Sequence, residues 1–281
     1  MKAVLEVLQS TTAYFQQKKI ENARLNIEHL LAHVLGKTRM ELYLEFDRPL
    51  GDKELDQLRD LVRRRAQGVP LQHLLGTVEF HGRIFGSDAR ALIPRPETEQ
   101  LVALILSLDV PPGPRCVDVG TGSGVIALTF AAEWPAAQVQ AVDSSAAALE
   151  LAAENARRLD LAGRVEFITG SLLEACPGPF DVIAANLPYI PKAEIAGLAP
   201  EVQHDPPGAL DGGEDGLALI SDCIAQAPGR LAPGGRLALE IGFDQAARVR
   251  GLLEAAGFRD IRTEKDYQGF ERFVIAGGRA Q

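Results

Sequence analysis

Apolar positions recur at three- and four-residue spacing in the amino-terminal part of the chain: Leu5 and Leu8, then Ile27, Leu30, Leu31, Val34 and Leu35, then Leu55, Leu58, Leu61 and Val62. That spacing lays a buried stripe along one face of a helix. Gly36 and the Arg48-Pro49-Leu50-Gly51 turn interrupt it, so residues 1–72 are expected to form a small helical domain. The pattern then shortens to β-like pieces at 77–80 and 84–85 around His81-Gly82-Arg83, which predicts a β-hairpin linker over 73–93. Pro96 suits the first turn of a helix, Glu97 and Glu99 complement its positive end, and the helical run continues through 100–108.

Over 94–281 short apolar runs alternate with helical ones. Strands are expected at 115–119, 138–142, 165–169, 180–185 and 236–241, and helices at 125–132, 146–159, 217–227 and 245–256. Such alternation predicts an α/β domain with a parallel sheet covered by helices on both faces. Two further strands near 261–263 and 272–275 are joined closely enough to be antiparallel.

The strand ends carry the candidate chemistry, because open α/β sheets bind ligands beyond the carboxyl ends of their strands. The run Phe180-Asp181-Val182-Ile183-Ala184-Ala185 delivers Asn186, Leu187, Pro188 and Tyr189 to such a place. A planar NH2 group whose lone pair is delocalised is a poor nucleophile, and accepting both its hydrogens stabilises the positive charge it gains on attack. The Asn186 Oδ1 and the Leu187 carbonyl can do this, with Tyr189 packed on the planar group. Upstream, Arg115-Cys116-Val117-Asp118-Val119 runs into Gly120-Thr121-Gly122-Ser123-Gly124, a glycine loop opening a helix whose free N–H groups can face a ligand. Asp143, at the tip of the next strand, suits the two hydroxyls of a ribose. The sixth position from Gly120 is Val125, so the dinucleotide fingerprint is not met, which argues against a dehydrogenase. The loop has the form Asp-x-Gly-x-Gly-x-Gly, and is similar to the cofactor loop of class I S-adenosylmethionine-dependent methyltransferases.

Composition narrows the reading. With 46% apolar residues in 281, the chain is expected to be a globular protein of two domains. No apolar run approaches the roughly 20 residues of a membrane span, and Met1 to Thr12 lack a basic segment followed by an apolar core, so a cytoplasmic protein without membrane association is expected. Cys116, Cys176 and Cys223 are odd in number and set in apolar surroundings, which reads as core thiols. Acidic residues outnumber basic ones 38 to 29, a net charge of −9 that disfavours a broad nucleic-acid footprint. Arg63-Arg64-Arg65 reads as a solvated helix terminus. His29 and His33 are one turn apart, yet residue 30 is leucine where a metalloprotease helix carries glutamate, and no metal is expected.

Taken together, the chain resembles the protein-(glutamine-N5) methyltransferases that modify peptide chain release factors, the PrmC or HemK family. The likeness covers nearly the whole chain. It rests on Ile93-Pro94-Arg95-Pro96-Glu97-Thr98-Glu99, on Asp118 through Gly124, on Asn186 to Ile190, on Ala209-Leu210-Asp211-Gly212-Gly213-Glu214-Asp215-Gly216-Leu217, and on Asp266 with Gly269 and Arg272. The resemblance implies a class I methyltransferase (Rossmann-like) fold, with a seven-stranded sheet, an N-terminal helical substrate-recognition domain and a β-hairpin linker. It implies S-adenosyl-L-methionine as methyl donor, S-adenosyl-L-homocysteine as product, and the glutamine of the Gly-Gly-Gln motif in bacterial release factors as substrate. On that reading Gly120, Thr121, Gly122 and Gly124 line the methionine end, Ser123 belongs to the same cofactor-binding loop, Asp143 holds the ribose, Ser171 or Leu172 borders the adenine, and Asn186 reaches both cofactor and substrate. Two positions depart from the family pattern: Leu187 replaces the usual first proline of Asn-Pro-Pro-Tyr, and Gly170-Ser171-Leu172 stands where many relatives carry an acidic residue. The competing enzyme reading is an N6-adenine methyltransferase, since an exocyclic amine presents the same two hydrogens. The non-enzymatic alternative is a binding module that holds a ligand without turnover.

Overall fold

The structure, a computed structural model, describes residues 2–278. The chain divides into two compact units, Met1–Thr77 with Ala199–His204, and Val78–Leu198 with Asp205–Gln281.

The first unit contains helices α1 (Val4–Gln17), α2 (Ala23–Leu35), α3 (Arg39–Leu42), α4 (Asp52–Ala66) and α5 (Leu71–Leu75). Of the stripe seen in the sequence, Leu8, Ile27, Leu30, Leu31, Leu58 and Leu61 are buried in its core together with Val4, Phe15 and Leu42; Val34, Leu35, Leu55 and Val62 pack against it half-buried, and Leu5 is half-buried outside it. α2 ends on Gly36 at φ +61°, a left-handed conformation in which a Cβ is strained. Glu28 is 3% exposed, and its carboxylate accepts from Arg24 Nε at 2.9 Å, Arg39 Nη2 at 2.8 Å and the Tyr43 hydroxyl at 3.0 Å. The three consecutive arginines do not behave alike. Arg63 is exposed and pairs with Asp60, as a solvated helix end should. Arg65 falls on the same helical face as Leu58 and Leu61 and is 3% exposed. Its guanidinium donates to Asn26 Oδ1 at 2.6 Å, to the Val69 carbonyl at 3.3 Å and to Glu201.

A two-stranded sheet follows, β1 (Thr77–Phe80) with β2 (Arg83–Gly86). His81 and Gly82 both take positive φ at its turn, the backbone a two-residue hairpin needs. The second unit then runs through α6 (Pro96–Leu106), β3 (Arg115–Val119), α7 (Val125–Glu133), β4 (Gln138–Asp143), α8 (Ala146–Arg158), β5 (Val165–Thr169), β6 (Phe180–Asn186), α9 (Ala218–Gln226), β7 (Leu231–Glu240), α10 (Ala246–Ala255), β8 (Arg259–Lys265) and β9 (Glu271–Gly277), all built around one sheet. Seven strands lie in the order β5-β4-β3-β6-β7-β9-β8. All neighbours are parallel through β7, and β9 runs antiparallel to both β7 and β8.

Period-two alternation divides the core between the faces of the sheet. Val117, Val119, Ile183, Ala185, Leu237 and Leu239 pack on one side with Ile220 of α9 and Val249 of α10. Cys116, Val182, Ala184 and Ala238 pack on the other with Leu101 of α6 and Phe130 of α7. The three thiols are buried and unpaired, and burial pushes those of Cys116 and Cys223 up to about 12. β7 starts at Leu231, earlier than the expected residue 236, because a register shift between Phe180 and Val182 accommodates Pro233-Gly234-Gly235 beside β6. Among the described residues no helix is long and apolar enough to cross a membrane.

The unequal arginines yield a test of the helical unit. Truncating Arg65→Ala leaves the Asn26 carbonyl without its guanidinium partner and should destabilise the protein by about 1–3 kcal/mol, the range for an orphaned buried polar group. Arg63→Ala should leave the unfolding midpoint where it is. Urea unfolding followed by circular dichroism measures both, and equal effects would contradict the assignment of Arg65 to the core.

Candidate active site

The chain steps outward from β3 to β4 and β5, then returns to place β6 on the other side of β3. The gap between the ends of β3 and β6 is therefore the topological switch point, where the connections leave in opposite directions and open a crevice. Register aligns the strand ends along it: Val119 pairs with Val142 on one side and Ala185 on the other, Asp143 pairs with Thr169, and Asn186 pairs with Glu240. Gly120, Asp143, Asn186 and Glu240 thus occupy one row.

The glycine loop is tied down at both ends. Gly120 and Thr121 donate their N–H groups to the Val142 carbonyl at 2.9 and 3.0 Å. Asp118, completely buried below the loop, accepts the Thr121 hydroxyl at 2.5 Å and the Ala127 N–H at 3.1 Å on the same oxygen. Its other oxygen has no partner, and burial pushes the carboxyl up to about 7 against these two bonds. Gly120 sits at φ +72°, and a Cβ there would meet Leu187 Cδ2 at 3.0 Å. The loop and the Asn186-Leu187 rim are therefore in contact, and only a glycine permits the approach. Asp143 Oδ2 accepts the Gly122 N–H at 2.9 Å and Oδ1 accepts the Ser145 N–H at 2.8 Å, which fixes the carboxylate at the strand tip.

A cavity of 360 Å³ opens over this row. Gly120, Thr121, Gly122, Ser123, Asp143, Ser171, Leu172, Asn186, Leu187 and Pro188 all line it. Gly124 and Tyr189 do not: Gly124 packs at the start of α7 against Ala152, and the Tyr189 side chain packs against the core while its carbonyl accepts from Gln245. The expected stacking of Tyr189 on a planar substrate thus has no counterpart in the cavity wall. Burial, with Glu240 nearby, pushes the Tyr189 phenol up to about 12. Ser171 is exposed, and Leu172 holds φ +49°, a conformation a leucine rarely adopts.

Several residues at the site were not read from the sequence. Thr98, in the first turn of α6, accepts from Asn186 Nδ2 at 2.9 Å and donates to Glu240 Oε2 at 2.7 Å. Glu240 ends the otherwise apolar strand Leu237-Ala238-Leu239, and that lone carboxylate was the available signal. Asp205, 2% exposed, accepts the Ile93 N–H at 3.1 Å and pairs with Arg95 at 2.7 Å, tying the segment before α6 to the loop that carries Pro206 and Gly208 into the cavity wall. The glycine-rich stretch after residue 209 backs the rim: Ile190 donates to the Leu210 carbonyl at 3.2 Å, and Gly212 donates to the Ile190 carbonyl at 2.9 Å.

Comparison with known proteins bears on both units. Residues 6–76 match the PrmC N-terminal domain family, and residues 100–201 match the methyltransferase small domain family. A release factor glutamine methyltransferase of Geobacter sulfurreducens is 44% identical over 98% of this chain and 96% of its own length. One of Chlorobaculum tepidum is 41% identical over 96% of this chain and 95% of its own. Among solved structures, a methyltransferase from Pyrococcus furiosus is similar with a TM-score of 0.53 at 18% identity, covering 70% of this chain and 89% of that one, a likeness of fold. On the identity and coverage of these relatives, the chain belongs to the release factor glutamine methyltransferase family.

Proposed function

We propose that this protein transfers a methyl group from S-adenosyl-L-methionine to the side-chain amide nitrogen of the glutamine in the Gly-Gly-Gln motif of bacterial peptide chain release factors. The observation that carries the reading is the Asn186 carboxamide: it lines the cavity with its nitrogen already bonded to Thr98, so its oxygen is the end left to accept from a substrate NH2. The names of the relatives support the substrate.

The cavity suits the proposed donor. Ser123 Oγ is buried in its wall with no hydrogen-bond partner, a polar demand that a ligand can meet. Asp143 keeps unused lone pairs on both oxygens for the two hydroxyls of a ribose. Apolar Leu92, Ile126 and Leu172 offer flat surface for an adenine ring, and Ser171 beside them can accept from its amino group. When bound, S-adenosylmethionine supplies an electrophilic methyl carbon and leaves as S-adenosylhomocysteine.

The chain's own residues handle the amide. Asn186 Oδ1 and the Leu187 carbonyl accept one hydrogen each from the glutamine nitrogen, so the nitrogen is held while its lone pair turns away from the carbonyl. Both acceptors gain strength as positive charge develops there. The methylated nitrogen is strongly acidic and gives its surplus proton to solvent, so no base is required beforehand. Positioning beside the glycine loop makes the encounter effectively unimolecular. Helices α1 to α5 serve as the region that recognises the release factor.

Replacing Asn186→Ala should leave cofactor binding measurable and lower methyl transfer by ~100-fold or more, the scale for a lost transition-state partner. Single-turnover transfer of labelled methyl to purified release factor checks this, and near wild-type turnover would refute the role. DNA and RNA offered in parallel tubes should stay unlabelled; label on them instead would favour an adenine amine as the substrate. Asp143→Ala should weaken cofactor binding by ~10-fold or more, as expected for charge-assisted hydrogen bonds to a diol. Titration calorimetry reads that constant without any substrate present.

A further inference from the structure

A carboxamide turned by half a revolution about its last side-chain bond keeps its shape and exchanges acceptor for donor. The role assigned to Asn186 survives only in one of those two orientations. The structure surrounds its nitrogen end with a directed chain of bonds: Nδ2 donates to Thr98 Oγ1 at 2.9 Å, and the Thr98 hydroxyl donates to Glu240 Oε2 at 2.7 Å. Asn186 and Glu240 are paired positions on β6 and β7, which brings the Asn186 amide close enough to favour the ionised form of Glu240. Thr98 is 3% exposed and Glu240 1%, so water does not replace either partner.

Glu240 dictates the direction of the whole chain. An ionised carboxylate only accepts. The Thr98 hydroxyl must give it its single hydrogen, which leaves on Thr98 an acceptor alone, and an acceptor selects the amide nitrogen of Asn186. We propose that Thr98 and Glu240 are positioning residues that set the polarity of Asn186, so that an acceptor rather than a donor meets the substrate amide. The inference rests on the reading that Asn186 Oδ1 takes a hydrogen from a glutamine NH2. A protonated Glu240 can donate to Thr98, Thr98 can then donate to Asn186 Oδ1, and the turned carboxamide presents NH2 to NH2.

The charges around Glu240 fix the sense of the pH effect. Glu97 of α6 opposes its ionisation, while the Thr98 hydroxyl, Arg272 of β9 and the Asn186 amide favour it. Tyr189 beyond β6, with Arg95 ahead of α6 acting on it, shares the same field. Burial outweighs the favourable partners and pushes Glu240 up to about 7. The ionised, polarity-setting form therefore gains as pH rises through that value and is lost as pH falls through it.

Two measurements test the inference. In the first, Glu240→Gln and Thr98→Val should each lower kcat by ~10-fold or more with the KM for release factor and the cofactor dissociation constant within about twofold, a loss confined to the transition state. Thr98→Ser, which keeps the hydroxyl, should recover most of what Thr98→Val loses. The wild-type rate should climb with pH to a plateau with a midpoint near 7, and E240Q should lack that limb. Wild-type kcat in E240Q, or the same limb in both proteins, would overturn the proposal. In the second, the Asn186 side-chain NH2 resonances, identified by their loss in Asn186→Ala, should shift with pH in the wild type and stand still in E240Q. Resonances that do not titrate in the wild type would overturn it too. This spectrum needs no substrate, so a protein inactive on release factors would sink the functional reading and still answer the question of polarity.

Discussion

The parallel register of β6 between β3 and β7 is the constraint from which the site follows. Because Val119 pairs with Ala185 and Asn186 with Glu240, a glycine, an amide and a carboxyl from segments far apart in sequence end in one row. A slip of one residue would turn Asn186 to the opposite face and bring a core side chain to the rim. What resists the slip is burial on both sides of the strand, since Val182 and Ala184 pack with one face and Ile183 and Ala185 with the other. The chemistry therefore depends on the hydrophobic core for its alignment.

Buried acid is the counterpart of that alignment. Asp118 and Glu240 both lie out of water, one under the glycine loop and one behind Asn186, and burial pushes each up to about 7. A folded value above the unfolded one means the native state holds protons that the unfolded chain has released, so stability falls as pH rises from the carboxylate range toward 7. Each carboxyl instead confers direction. Asp118 gathers the Thr121 hydroxyl and the Ala127 N–H, which shapes the loop, and Glu240 orders Thr98 and through it Asn186.

The strands and helices were legible because their signals are local. The apolar runs at 115–119 and 180–185 and the period near 3.6 in the helices survive in the folded protein, as does the glycine loop between β3 and α7. A boundary failed where breakers sit inside an element: the strand expected from 236 starts at Leu231, and β7 runs through Pro233-Gly234-Gly235 with a register shift against β6 between Phe180 and Val182. Contacts between distant segments were out of reach. Nothing in the neighbourhood of Arg65 announces Asn26 and Glu201, and nothing beside Thr98 announces Glu240. Tyr189 shows the converse limit, since a short motif fixes its backbone path at the rim and leaves its ring to whichever neighbours the core supplies.

The leucine at 187 shows how packing can replace covalent stiffness. A proline there would restrict the backbone by its ring. Leu187 is 4% exposed and belongs to the same buried cluster as Ile183 and Ala185, with its Cδ2 against the loop at Gly120. A side chain held on that many sides restrains its own backbone, and Pro188 immediately after it restricts the residue further toward extended geometry. The carbonyl proposed to meet the substrate amide is thus fixed by burial on one side and by the following ring on the other. The same leucine closes the space that the glycine leaves open, so the absent side chain at 120 and the large one at 187 form a single fitted contact between the glycine loop and the end of β6.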